Sequence, residues 1–159
     1  GDEIPAERAV VGLDSDKQAN RAQCCQPGPG ERIVGITYPG RGVMVHAIDC
    51  PAWPELEDET DRWIDVHWHS GKHPAIYNVT VNVTIRNDAG VLGRICTLIG
   101  EQKANISDMH FADRKSDFFR LLIDIDMRDV EHLHMVMTAL EADTDVAAID
   151  RFRDVTRQP

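Results

Sequence analysis

The sequence predicts an α+β protein in two parts, a small β-rich module bearing cysteines and then a βαββαβ domain. Three observations carry this. Gly, Pro, Cys and Trp concentrate before about residue 73, where apolar runs are short. Residues 77–85 then alternate apolar and polar side chains with strict period two. Two later segments carry apolar residues at spacings of three and four, the mark of one-sided helices. A chain of 159 residues suits one domain or two small ones.

In the first part, residues 32–38 (RIVGITY) and 43–48 (VMVHAI) read as strands around the turn Pro39-Gly40-Arg41-Gly42. Residues 63–68 (WIDVHW) read as one further short strand, and the acidic stretch 54–61 as a solvated loop or turn of helix. A module of roughly 50–60 residues is marginal by itself, because little of its surface can be buried. The segment 70–74 (SGKHP) reads as a linker.

The second part has longer elements. Tyr77, Val79, Val81, Val83 and Ile85 alternate with Asn78, Thr80, Asn82 and Thr84 along a half-buried strand. Asn87-Asp88-Ala89-Gly90 turns into a helix whose apolar face is Val91, Leu92, Ile95, Leu98 and Ile99, with Cys96 beside it as a core residue. Residues 105–111 form a second strand, 113–117 (DRKSD) a charged hairpin turn, and Phe119, Leu121, Ile123 and Ile125 mark a third strand. Asp129 caps a second helix with Glu131 in its first turn, where a negative charge suits the helix dipole. That helix is expected to bury Val130, Leu133, Val136, Met137 and Leu140, and 146–152 is the last strand. The order is the split-βαβ, ferredoxin-like plan, with both helices on one face of an antiparallel sheet. In it the 105–111 strand lies at a sheet edge, whose unpaired backbone groups invite a second copy.

The formal net charge is -10, which argues against unaided binding to nucleic acid or an anionic membrane. No apolar run is long enough to span a bilayer and no secretory leader is visible, so a cytoplasmic protein is expected. A start at Gly1-Asp2-Glu3, without Met, suggests a piece of a longer chain. Four cysteines are too few for a disulfide scaffold, and a reducing compartment fits them better. The sequence has no Walker-type glycine-lysine loop and no His-Asp pair at hydrolase spacing, so no catalytic residue is assigned.

Two places carry chemistry. A strand that turns through Gly90 directly into a helix leaves backbone N–H groups open at the helix start, which favours an anion such as a carboxylate. Asn87 and Asp88 could accept from an ammonium group, so one loop could hold both ends of a free amino acid; a plain capped helix is the alternative. Elsewhere, Cys24, Cys25, His46 and Cys50 supply the donor types and number of a closed tetrahedral zinc site. Cysteines packed as small hydrophobes, or reactive thiols forming a redox switch, are the alternatives, because neighbouring cysteines point their side chains apart. His67, His69 and His73 read as a solvated strand face, and Trp53, Trp63 and Trp68 as packing rather than base-stacking residues.

Residues 87–95 (NDAGVLGRI), followed by Lys103-Ala104-Asn105-Ile106, resemble the ACT-domain signature, and residues 75–153 fit its order of elements. The resemblance implies amino-acid binding between paired domains, where the glycine turn of one meets the asparagine-bearing strand of the other. It carries ligand contact onto Asn87, Asp88, Ala89, Gly90, Val91, Leu92, Asn105 and Ile106. Many ACT domains have an aspartate where this chain has Asn87. CCQPGPGERIVG from Cys24 and GRGVMVHAIDC from Gly40 closely resemble the conserved-cysteine module, called RIS or zinc-finger, of long RelA/SpoT homologues. In that family, whose members make and hydrolyse guanosine tetra- and pentaphosphate, (p)ppGpp, this module precedes a C-terminal ACT domain. The resemblance implies a non-catalytic regulatory region of a stringent-response enzyme, acting on catalytic domains elsewhere in the parent chain.

The expected layout is a flank (1–19), the conserved-cysteine module (20–69), a linker (70–75), the ACT domain (76–153) and a tail (154–159). The expected partners are valine, isoleucine or leucine, because Val91, Leu92 and Ile106 suit an aliphatic side chain, and a second copy of the chain through the ACT domains. No cofactor is required beyond a candidate structural zinc. Two other functions remain in view: a ribosome- or rRNA-binding module sensing uncharged tRNA, and a thiol or zinc redox sensor.

Overall fold

The computed structural model describes residues 4–5, 10–11, 19–38, 42–50, 63–68 and 75–152. Its elements run β1 (Ile4–Pro5), β2 (Val10–Val11), β3 (Ala19–Arg21), β4 (Ile33–Tyr38), β5 (Gly42–Ala47), β6 (Trp63–Ile64), β7 (His67–Trp68), β8 (Ala75–Arg86), α1 (Val91–Glu101), β9 (Asn105–Arg114), β10 (Phe118–Met127), α2 (Val130–Glu141) and β11 (Val146–Arg151). The class is α+β, in two compact units, Gly1 to Tyr77 and Asn78 to Phe152.

In the second unit the sheet runs β11–β8–β10–β9, the strand order of the ferredoxin-like plan. β9 is antiparallel to β10, and β11 to β8. Asn78 bonds Asp126, Thr80 bonds Asp124 and Arg120 bonds Asn82, so the residue numbers step in opposite senses and β8 is antiparallel to β10 too. The period-two reading holds: Val79, Val81, Val83 and Ile85 are buried with Leu121, Ile123 and Ile125 of β10. The opposite side chains of β8 form the polar bonds just named.

The helical stripes are narrower than expected. In α1 only Val91, Ile95 and Ile99 are buried, each four residues from the last; Leu92, Cys96 and Leu98 are half-buried at its margins. In α2 the buried set is His132, Leu133, Val136 and Leu140, with Val130 and Met137 half-buried. Asp129 caps α2 as expected, accepting from the His132 N–H at 2.8 Å. The His132 ring is buried because both nitrogens are used. Nδ1 accepts from the Arg128 N–H at 3.2 Å, and Nε2 donates to the Gln102 carbonyl at 2.6 Å, where α1 ends. β9 continues three residues past the expected 111. Arg114 and Asp113 stay paired with Phe119 and Arg120, and Phe111 packs edge-on against Phe119 at 5.1 Å. The hairpin turn is therefore tighter, closed by Lys115 N–H to the Phe118 carbonyl at 2.9 Å.

The first unit holds a four-stranded sheet, β3–β5–β4–β6, and a two-stranded β2–β7 pair. β3 is parallel to β5, and β4 is antiparallel to both β5 and β6. The strand expected at 63–68 is instead two short pieces in different sheets. β6 pairs with β4, whereas β7 pairs with β2. Between them Val66 turns inward onto Ile33 and Val45, and the Trp68 indole N–H is held by the Glu31 carbonyl at 2.9 Å. β1 and β2 fall in the segment read from sequence as a flank. The turn residues 39–41, the acidic stretch 54–61, Trp53, His69, His73 and the linker segment 70–74 lie outside the described residues.

Candidate functional site

The cysteine cluster is assembled by three short segments. The chain leaves β3 with Ala22 N–H donating to the Val45 carbonyl, then turns, closed by Gln26 N–H to the Ala22 carbonyl at 2.9 Å. Successive side chains in such a turn are not held on opposite sides as they are in a strand, so neighbouring Cys24 and Cys25 can face one centre. β5 presents His46, and a second turn, Cys50 N–H to the Ala47 carbonyl at 3.0 Å, swings Cys50 back toward it.

All four side chains are buried, with Ala22 and Ala47 around the thiols. Cys24 Sγ lies 3.4 Å from Cys50 Sγ and 3.6 Å from His46 Nδ1, and all four donor atoms fall within 4.8 Å of one another. A zinc ion with bonds of about 2.3 Å to sulfur and about 2.0 Å to nitrogen holds its donors roughly 3.5–3.8 Å apart. Donor set, burial and spacing therefore fit a structural zinc. The Ala47 N–H points at Cys25 Sγ from 3.3 Å, a contact that suits a thiolate. Contact with Cys25 favours ionisation of Cys24, but the Cys50 thiol and burial outweigh it and push Cys24 up to about 11. The Cys24 and Cys50 thiols and burial push Cys25 far upward as well. Without a cation these thiols stay protonated at neutral pH.

The glycine turn lies in the other unit. Gly90 has φ 82°, a left-handed conformation that glycine adopts freely, and no side chain caps α1 behind it. No acidic residue stands in the first turn of α1, although the exposed Asp88 lies just before it and its backbone carbonyl accepts from the Val91 N–H at 3.3 Å. Asn87 to Gly90 are exposed, Val91 is buried and Leu92 half-buried. The Asn87 N–H donates to the Asp117 carbonyl at 2.8 Å, and its Nδ2 donates to the Ser116 carbonyl at 3.0 Å. The hairpin thus fixes which way the Asn87 amide points and leaves its Oδ1 as the acceptor turned away.

Arg94, which sequence reasoning passed over, braces this turn. Its N–H donates to the Gly90 carbonyl, and its guanidinium grips both Asp143 oxygens, at 2.8 and 3.0 Å, and Asp145. Those carboxylates push Arg94 upward, and Arg94 holds Asp143 below the usual carboxylate range. Nothing in the sequence could pair positions so far apart.

The predicted ligand residues do not meet within one chain. Asn105 and Ile106 open β9, and Asn105 bonds Asp126, which also holds Asn78 at the start of β8. The turn lies beyond the far end of β8, roughly 30 Å away at about 3.3 Å per residue. Among the described residues, β9 is the last strand on its side of the sheet.

Residues 8–69 match the RelA/SpoT RIS domain, and residues 73–151 match the ACT domain. The chain belongs to the RelA/SpoT family. It is 33% identical over 128 residues to the GTP pyrophosphokinase rsh of Brucella abortus, covering 77% of this chain and 16% of that protein. It is 32% identical over 151 residues to the GTP pyrophosphokinase of Photobacterium angustum, covering 92% of this chain and 20% of that one. The Escherichia coli K12 GTP pyrophosphokinase is 32% identical over 141 residues, covering 87% and 19%. This chain thus spans between 16% and 20% of the length of these curated RelA/SpoT relatives. The ACT domain of a Chlorobium tepidum GTP pyrophosphokinase, solved by NMR, matches with a TM-score of 0.44 at 16% identity, covering 50% of this chain and 89% of that one. The chain is therefore a RelA/SpoT regulatory region made of a RIS domain and an ACT domain. No helix among the described residues is long and apolar enough to cross a membrane.

Proposed function

We propose that the ACT domain binds a branched-chain amino acid at the seam of a homodimer and so biases a parent (p)ppGpp synthetase/hydrolase toward hydrolysis. The observation that carries this reading is the separation of the two half-sites along an edge strand. A two-fold axis through β9 would pair it antiparallel with its copy, satisfying the open backbone groups. The partner's Asn105 and Ile106 would then lie beside this chain's hairpin, where the glycine turn is fastened. The ligand carboxylate would take the opening amides of α1, while Asn87 Oδ1 and the exposed Asp88 accept from its ammonium group. Val91, Leu92 and the partner's Ile106 would receive the aliphatic side chain. A ligand shifts such an enzyme only by binding one state better, typically with about 1–3 kcal/mol of coupling. In the RIS domain, Cys24, Cys25, His46 and Cys50 would hold a structural zinc that crosslinks β3, β5 and the turns around them. Burial of all three thiols supports metal over a redox sensor, since reactive cysteines are exposed and low in pKa.

Calorimetric titration with the standard amino acids, read together with light scattering, tests this. Valine, isoleucine and leucine should bind at one site per chain and tighten a dimer. A chain that stays monomeric at tens of micromolar and binds none of them overturns the proposal.

A further inference from the structure

We propose that Arg21 shapes the Cys24–Cys25 turn for metal, a positioning role that rests on the metal reading of the cluster. Arg21 is the last residue of β3, in register with Val45, the neighbour of His46. The turn carrying both thiols starts immediately after it and ends at Gln26, whose φ of 48° is left-handed. A non-glycine residue holds that conformation only where its surroundings over-determine it. The Arg21 guanidinium supplies the constraint: Nε donates to the Pro27 carbonyl at 2.6 Å and Nη2 to the Gln26 carbonyl at 3.0 Å. A planar fork on two successive carbonyls fixes their orientation as well as their distance.

The consequence is a loop from Arg21 to Pro27 closed by its own side chain, with both cysteines inside. Its starting end is anchored on the strand that bears His46. Glu31 continues the brace, its carboxylate accepting from the Gly28 N–H at 2.6 Å while its own N–H donates to the Gly28 carbonyl at 3.1 Å. Four donors drawn from separate segments reach one centre only if each segment is held, and the Cys-Cys turn lacks the sheet bonds that hold His46. Arg21 substitutes for them without touching the metal.

The test uses the whole chain as wild type, Arg21→Lys and Arg21→Ala. Zinc affinity is measured by competition with a chromophoric chelator, and coordination by the cobalt(II) spectrum. Wild type should show the intense thiolate-to-cobalt band of a tetrahedral site. Arg21→Ala should bind zinc about 10–100-fold more weakly, with a weakened and shifted cobalt band. Arg21→Lys, which keeps the charge but not the fork, should fall between them. An Arg21→Ala chain with unchanged affinity and spectrum overturns the inference alone. If Arg21→Ala does not fold, Arg21→Lys decides, and wild-type values for it overturn the inference. A wild-type chain with no cobalt band sinks the metal reading and this inference with it.

Discussion

Between β8 and β11 the ACT domain is built from long strands whose inward positions are apolar, closed by two helices that each bury a stripe of side chains. The RIS domain closes strands of at most six residues around three thiols and an imidazole. The first design draws its stability from many interchangeable contacts, each buried Val, Ile or Leu contributing about 1.5–3 kcal/mol. With the zinc proposed above, the second would concentrate much of its stability in a few atoms that must meet at one point. Small domains with little core generally need such a staple. The exposure differs as well: the ACT domain has an edge strand and an exposed glycine turn, whereas the four donors of the RIS cluster are buried.

The largest expected effect breaks the RIS domain alone. Removing zinc with a chelator, or substituting Cys50→Ser, should abolish hydrogen-exchange protection in β3 to β5 while β8 to β11 keep theirs. Structural zinc sites contribute on the order of 10 kcal/mol to folding, so a partial loss is not expected. Equal loss in both units would refute the contrast. Next, Ile123→Ala should destabilise the ACT domain by about 2–5 kcal/mol in denaturant unfolding, leaving the cobalt spectrum of the RIS domain unchanged.

Smaller in stability but sharper in function is Gly90→Val. A Cβ at Gly90 would meet nothing within 4 Å, so the cost comes from the left-handed backbone, about 1–2 kcal/mol. The turn should distort and valine titration heat should vanish, with the circular dichroism of the domain retained. Normal valine binding by this variant would move the ligand site elsewhere.

The ACT fold was legible because its periodicity is local. The alternation from Tyr77 to Ile85 and the Asp129 cap can be read within a few residues, and both stand in the structure. Where reading failed, a distant partner had overridden a local pattern. The stretch from Trp63 to Trp68 looks like one strand, yet Val66 is drawn into a core that includes Ile33 and Val45. His132 is outside the apolar set expected for α2, yet it is buried where the end of α1 offers it a carbonyl. The cysteines were legible as a donor set and not as a site, since a turn had to cancel the opposed directions that neighbouring residues take in a strand.

By itself the sequence determined the α+β class, the βαββαβ order, the donor set Cys24, Cys25, His46 and Cys50, and the glycine turn. The class, the element order and the turn depend on residue type at short spacing, and the donor set on residue type alone, its members lying up to 26 residues apart. Only the tertiary structure decided that the four donors converge within 4.8 Å, that Arg94 braces the turn through Asp143 and Asp145, and that Asn105 lies at the opposite end of the sheet from Gly90. Those facts depend on contacts between residues far apart in the chain, which the packing of whole elements sets.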